Sequence, residues 1–156
     1  MAYKLALEKA WNDISGLTRI DKFDVSFLQD KYEVTLSKRE IILLSENNPA
    51  IDHIAVLILH YLIKKLELEE FPLADEDWIS FKELDGGDFY WPVFKKRTIN
   101  PILKKFASNP DMLFDSARRF SARKYHIGDL SIVIEPFSGV PILITIWKGD
   151  EEIEPG

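Results

Sequence analysis

The spacing of apolar residues in the first third of the chain predicts a helix followed by strands. Residues 2–14 carry one helical stripe of apolar side chains, and it consists of Leu7, Ala10, Trp11 and Ile14. The mixed segment 23–28 predicts a short strand or an extended connector. Apolar and polar residues then alternate over residues 32–36, and a more apolar run follows over 40–44, which together predict a β-hairpin.

The most apolar stretch of the chain predicts a second helix. Asn48 is suited to cap a helix, and Pro49 is suited to the first helical position. We therefore expect the helix to begin there and to cover residues 50–66. This segment is apolar on nearly all sides, which favours a buried, central position. The acidic stretch 67–77 that follows predicts a surface loop.

The second half of the chain predicts two more helices and a second hairpin. A helix is expected from Pro92 to residue 106, with a kink at Pro101 because proline cannot donate the helical hydrogen bond. An Asn-Pro pair starts another helix over residues 109–121. Apolar alternation over residues 127–135 and 140–147, on either side of a Ser-Gly pair, predicts two strands.

These elements specify an α+β fold, because strands and helices occur in separate runs. We expect one antiparallel sheet, made from the hairpins over residues 32–44 and 127–147, to pack against the central helix over residues 50–66. The chain has 156 residues, which is typical of one domain. It contains no repeat and no long linker, so a single domain over residues 1–156 is predicted.

Composition excludes several classes of site. The chain has no cysteine, which excludes disulfides, thiolate metal ligands and cysteine nucleophiles. Its three histidines lack the i, i+4 spacing of a zinc pair. The acidic run over residues 150–152 offers oxygen ligands but not the EF-hand spacing, so we predict no metal and no cofactor. No apolar run approaches the roughly 20 residues of a membrane helix, and a cytoplasmic protein is expected.

The charge of the chain is unevenly distributed. Overall, 20 basic and 26 acidic residues give −6, whereas residues 95–126 hold nine basic and two acidic residues, or +7, and the remainder is −13. Such a basic segment suits an anionic partner, but its charges also suit a solvated helix face or ion pairs with the acidic loop over residues 67–77. The candidate contact residues are Lys95, Lys96, Arg97, Arg118, Arg119, Arg123 and Lys124.

Aromatic residues are dense between residues 78 and 94, where they occupy six of seventeen positions. A cluster of this kind forms a core or lines a ligand pocket, and both interpretations stay open. The Asp-Gly-Gly-Asp segment over residues 85–88 lacks the pattern of a phosphate-binding loop and predicts a plain turn. The candidate ligand-binding residues are Trp78, Tyr90 and Trp91 for a pocket wall and Glu83, His126 and Asp129 for acid–base chemistry.

Three sequence blocks carry a family resemblance. They are LHYLIKK at residues 59–65, WISFKELDGG at 78–87 and PILITIWKGDEE at 141–152. In this order they resemble a prokaryotic family, the domain of unknown function numbered 3786, from residue 32 to the end of the chain. The resemblance implies an α+β domain, with some members associated with cysteine-rich iron–sulfur modules of corrinoid metabolism. Members usually continue beyond the acidic block, so this chain is expected to be either a short member or one trimmed at its C-terminus relative to the family.

The sequence leaves three functions open. The first is a non-catalytic binding or accessory domain, which the resemblance links to a metallo- or corrinoid-enzyme system. The second is a small-ligand enzyme that uses the aromatic-lined pocket. The third is a nucleic-acid contact through residues 95–124. We expect the partner to be another protein or a small molecule rather than a nucleic acid or a membrane, and the sequence does not decide whether the protein is an enzyme.

Overall fold

The computed structural model describes residues 3–68, 77–149 and 156. The chain divides into two compact units: unit 1 contains Met1–Leu73 with Pro136–Val140, and unit 2 contains Ala74–Glu135 with Pro141–Gly156. Helices and antiparallel strands occur in both units, which confirms the α+β class. The strands form two sheets rather than the single sheet that the hairpins predict. The single domain stays a prediction.

Within its described residues, 3–68 and 136–140, unit 1 contains two helices and a four-stranded antiparallel sheet. The first helix and the β2–β3 hairpin lie where the sequence predicts them. The strand order is β1-β2-β3-β4. In chain order the elements are α1 (Lys4–Leu17), β1 (Lys22–Phe27), β2 (Asp30–Thr35), β3 (Glu40–Leu43), β4 (Asn48–Pro49) and α2 (Asp52–Leu68).

The prediction that Asn48 and Pro49 begin the second helix is wrong. Both residues belong to β4, where Pro49 pairs with Ile42 of β3. The N–H of Ala50 still donates to the carbonyl oxygen of Ile41, so the chain leaves the sheet only after that residue and α2 begins at Asp52. Proline is tolerated in β4 because this strand lies at the edge of the sheet.

Helix α2 buries one face rather than its whole circumference. Ile58 and Leu59 are 0% exposed, whereas Leu57 on another face is 46% exposed. The buried part of the helix surface is therefore smaller than the nearly uniform apolar sequence of this helix predicts. The core of unit 1 joins this face to α1, to the sheet and to Phe137; its buried members are Ala10, Trp11, Ile14, Val25, Tyr32, Val34, Ile41, Ala55, Ile58, Leu59, Leu62, Ile63 and Phe137.

In the part of unit 2 that the structure describes, there are three short α-helices and a three-stranded antiparallel sheet whose strands follow their order along the chain. The predicted hairpin is present as β6 and β7, whose turn lies in unit 1. Its buried core consists of Phe106, Leu113, Ala117, Leu130, Ile132 and Ile146. The elements are α3 (Gly87–Phe94), α4 (Asn100–Phe106), α5 (Asp111–Ala117), β5 (Arg123–Tyr125), β6 (Leu130–Phe137) and β7 (Val140–Ile146).

The helix expected from Pro92 begins earlier, at Gly87. Gly86 has a φ of +74° and reverses the chain directly before α3. Pro92 lies inside α3, and a π-helical turn over Lys95–Ile99 joins α3 to α4. In this turn the N–H of Asn100 donates to the carbonyl oxygen of Lys95, five residues earlier. The kink expected at Pro101 thus takes the form of a widened turn just before it.

Truncation of the buried face of α2 should destabilise the protein. Leu59→Ala removes a fully buried side chain, and we expect a loss of about 2–5 kcal/mol in the free energy of unfolding. Leu57→Ala, on the exposed side of the same helix, should change it by less than about 0.5 kcal/mol. Urea unfolding of both variants measures the difference. Equal midpoints would contradict the assignment of this face to the core.

Gly87 should tolerate no side chain. A Cβ at this position would collide with the carbonyl oxygen of Phe81 and lie 3.0 Å from the backbone of Lys82. We expect Gly87→Ala to lower the free energy of unfolding by about 1–3 kcal/mol through overpacking. Gly16→Ala is the control, because no atom lies within 4 Å of its added Cβ. A Gly87→Ala variant as stable as the control would show that α3 does not pack against residues 81–83 in this way.

Candidate anion-binding surface

The basic residues of unit 2 between positions 95 and 124 all lie at the protein surface. They come from the π-helical turn, the end of α4, the turn Arg118–Phe120 and strand β5. We call this set the basic surface. It consists of Lys95, Lys96, Arg97, Lys104, Lys105, Arg118, Arg119, Arg123 and Lys124.

Phe114 brings two cations of the basic surface to one aromatic ring. The guanidinium carbon of Arg118 lies 5.9 Å from the ring centroid, and the Nζ atom of Lys124 lies 5.0 Å from it. Both cations also face a carboxylate: Arg118 is 3.9 Å from Asp115, and Lys124 is 3.7 Å from Asp111. Exposed pairs of this kind contribute little energy, so they orient the two cations without firmly neutralising them.

The other seven cations have no carboxylate oxygen within 4.0 Å among the residues that the structure describes. Arg97 donates a hydrogen bond to the Tyr90 hydroxyl at 3.5 Å, and two others lie near aromatic rings. The guanidinium of Arg119 lies 4.5 Å from the Phe120 ring, and the Nζ atom of Lys105 lies 5.2 Å from the Phe106 ring. The basic surface therefore keeps positive charge that an anionic partner can approach.

The acidic segment 67–77, which the sequence predicts as a loop, is the competing source of negative charge, although its first two residues belong to α2. Its first residue, Glu67, forms an ion pair with Lys64 at 2.7 Å, within helix α2. Residues 69–76 and the acidic run 150–152 lie outside the described part of the chain. Neutralisation of the basic surface by these segments thus stays a prediction.

The aromatic candidates fall into two groups in unit 2. Phe81 stacks on Phe94 with 3.8 Å between centroids, and the rings of Tyr90 and Trp91 each lie 6.4 Å from Phe81. The predicted pair Tyr90 and Trp91 is therefore brought together around one ring. Trp78 instead meets the edge of Tyr125 at 5.7 Å.

Glu83 supports the turn in which it lies. Its Oε2 atom accepts a hydrogen bond from the backbone N–H of Ser80 at 2.5 Å, and the Ser80 side chain accepts one from the backbone of Glu83. This is a capping box. Hydrogen bonds from the backbone and side chain of Ser80 lower the pKa of the Glu83 carboxyl. These hydrogen bonds give the Glu83 carboxylate a structural role in the turn. Its acid–base role stays a prediction.

Asp129 has a similar local role at the end of the second sheet. Its Oδ2 atom accepts a hydrogen bond from the N–H of Lys148 at 2.7 Å, and its own N–H donates to the carbonyl oxygen of Ile146. His126, another of the acid–base candidates, is exposed, and its ring lies 6.3 Å from that of Tyr125. The Asp129 side chain therefore ties the loop before β6 to the chain after β7.

The sequence did not identify the cavities of unit 1. A groove of about 480 Å³ lies along β1 and α2, and a smaller cavity of about 220 Å³ lies near the start of α2. None of the predicted ligand-binding residues lines either of them. The groove is lined by Phe23, Asp24, Val25, Ser26, Tyr61, Leu62, Lys65, Leu66 and Ser138.

Across residues 3–68, 77–149 and 156, no three histidine, aspartate or glutamate side chains are grouped as metal ligands. None of the helices in the same part of the chain has both the length and the apolar character to cross a membrane.

The lowered pKa of Glu83 predicts a stability contribution that is lost in acid. The folded state favours the charged carboxylate, so the contribution is present above the ordinary pKa of 4.5 and disappears as the pH falls through the lower folded value. Glu83→Ala should lower the melting temperature at pH 7, and its difference from wild type should shrink below about pH 4.

The control for this experiment is Asp85→Ala, which removes an exposed carboxylate outside the capping box. We expect this variant to melt within about 1 °C of wild type at pH 7, as is usual for an exposed site. A Glu83→Ala difference that stays constant from neutral to acidic pH would contradict the role of the charged carboxylate.

Comparison with known proteins identifies the family. The searches of curated proteins and of solved structures return no match. The scan against protein families matches the domain of unknown function DUF3786 over residues 7–156. This range includes all three sequence blocks that carry the resemblance, as well as the whole basic surface. The chain therefore belongs to the DUF3786 family.

Proposed function

We propose that this protein is a non-catalytic binding domain that recognises an acidic surface of a partner protein through its basic surface. The observation that carries the proposal is the set of seven exposed cations without a carboxylate neighbour among the described residues. The two carboxylates with the clearest structural roles, Glu83 and Asp129, accept backbone hydrogen bonds, which favours binding over catalysis.

The partner that we propose is a metallo- or corrinoid enzyme. The support is the family resemblance, which associates some members with iron–sulfur modules of corrinoid metabolism. Because this chain contains no cysteine, an iron–sulfur cluster in such a system would be held by the partner. The protein would then act as an accessory domain that docks beside the redox centre without supplying its ligands.

A compact acidic surface suits the charge distribution better than a nucleic acid does. Outside residues 95–126 the chain carries a net charge of −13. This negative charge repels a long polyanion more strongly than a limited acidic patch, because the polyanion carries more charge. The protein alternative is therefore favoured over nucleic acid.

The aromatic rings beneath the cations contribute to the proposed docking. Phe114 holds the side chains of Arg118 and Lys124 near one ring, which restricts their motion before binding. Less side-chain entropy is then lost when the partner binds. The attraction itself acts over a Debye length of about 8 Å at physiological ionic strength, so salt should weaken it.

Charge reversal on the basic surface should weaken binding of an acidic probe. The triple variant Arg118→Glu, Arg119→Glu and Arg123→Glu should bind a fluorescent poly-glutamate peptide at least about tenfold more weakly than wild type, because each lost charge contact costs affinity. Fluorescence anisotropy at low and high salt measures the effect. The matched control reverses three exposed cations of unit 1, Lys4, Lys9 and Arg19, and changes the net charge equally.

Three outcomes decide the proposal. Loss of binding in the first variant but not in the control supports it. Equal loss in both variants means that net charge alone governs the interaction, and retained binding with a lower melting temperature means that the charges serve the fold. A single-stranded oligonucleotide of matched charge that binds more tightly than the peptide would overturn the choice of a protein partner.

A further inference from the structure

Strand β1 presents unpaired backbone groups at the edge of the first sheet. It is the outermost strand opposite β4, and it pairs only with β2 within that sheet. The carbonyl oxygen of Asp21 accepts a hydrogen bond from Leu36, so the odd-numbered residues of this segment bond towards β2. In an antiparallel ladder the even-numbered residues then direct their N–H and C=O groups outwards.

Two residues leave their outward groups open. Leu28 follows the alternation, because its N–H donates to the carbonyl oxygen of Pro136 on the outer side of the sheet. Asp24 and Ser26 have the same orientation, yet neither outward N–H nor outward C=O pairs with a backbone group in the described part of the chain. Pro136 thus pairs with the end of this edge at Leu28. At Asp24 and Ser26 the edge presents donors and acceptors that have no backbone partner among the described residues.

The groove of unit 1 runs along this free edge. Side chains of a strand alternate between its two faces, and the face that carries Phe23 and Val25 is directed towards the core shared with α2. A strand added beside β1 would place every second side chain on that face. The volume of about 480 Å³ lies there, between β1 and the residues Leu62 and Leu66 of α2. It is within the usual range for a binding pocket.

Lys65 adds a charge requirement to the groove. It is exposed, and its Nζ atom lies 5.9 Å from the centroid of the Tyr61 ring. Its neighbour Lys64 differs, because it forms an ion pair with Glu67. The Tyr61 hydroxyl donates a hydrogen bond to the carbonyl oxygen of Ser138, which fixes this wall of the groove. An acidic side chain in the groove would complement Lys65.

We propose that β1 binds an extended peptide segment of a partner protein by strand addition. The outward N–H and C=O groups of Asp24 and Ser26 pair with the peptide backbone, apolar peptide side chains enter the groove, and an acidic one meets Lys65. This site lies in unit 1 and is independent of the basic surface. The exposed charges of Lys22 and Asp24 limit indiscriminate pairing at this edge, as charged residues on edge strands commonly do.

The test uses synthetic peptides of about six residues, the usual length of a strand. Valine alternates with threonine in each peptide, and one glutamate replaces a valine at a different position in each member of the series. Ser26→Pro removes the outward N–H while keeping the hydrogen bonds to β2, because proline is tolerated where the strand edge faces solvent. Ser26→Ala keeps the N–H and serves as the matched control.

We expect at least one peptide to bind wild type and Ser26→Ala equally and Ser26→Pro about tenfold more weakly, as the loss of a backbone hydrogen bond predicts. N-methylation of that peptide at alternate residues should weaken binding to the wild-type protein in the same way. This second measurement stands even where Ser26→Pro unfolds. Lys65→Glu should reverse the preference from the glutamate peptide to its lysine counterpart.

Several results would overturn the proposal. Absence of binding by every peptide excludes this ligand class, and binding that ignores both Ser26→Pro and N-methylation shows that the groove accepts side chains without strand addition. A wild-type dimer in sedimentation that becomes a monomer in Ser26→Pro would assign the edge to a second copy of the chain. Binding with no charge preference would remove Lys65 from the site.

Discussion

The packing of one face of α2 against α1 and the first sheet is the interaction on which unit 1 depends. Ile58, Leu59 and Leu62 are removed from water there, and each fully buried side chain of this size contributes about 1.5–3 kcal/mol. The same helix forms one wall of the groove. Phe137 packs between Phe27 and Tyr61, with centroid distances of 4.8 and 4.5 Å. The core of unit 1 therefore also holds the turn between β6 and β7.

Unit 2 combines a small apolar core with charges that are left available. Four cations of the basic surface lie near the aromatic rings of Phe106, Phe114 and Phe120, which contact them without neutralising their charge. Carboxylates are used differently: Glu83 and Asp129 each hold a segment of backbone in place. The contrast between these two structural carboxylates and the outward-facing cations is the physical basis of the proposed binding role.

Local periodicity was sufficient to predict α1, both hairpins and the α+β class, because these elements are encoded in neighbouring residues. Features set by distant pairing were not predicted. Pro49 was expected to start a helix, but the hydrogen bond from Ala50 to Ile41 keeps that segment in the sheet. The basic residues lie in one segment of the sequence, so the basic surface could be predicted. The i, i+4 spacing of Phe114 and Arg118 in a predicted helix also indicates that these two side chains meet. The approach of Lys124 to the same ring depends on β5 and was not visible.

The central claim is that the basic surface is where this protein meets an anionic partner. Hydrogen–deuterium exchange, with and without poly-glutamate, tests it most directly because it maps the contact without altering the chain. The account predicts slower exchange within residues 95–124 at low salt and its disappearance at high salt. Protection located elsewhere in the chain, or protection within residues 95–124 that persists at high salt, would contradict it.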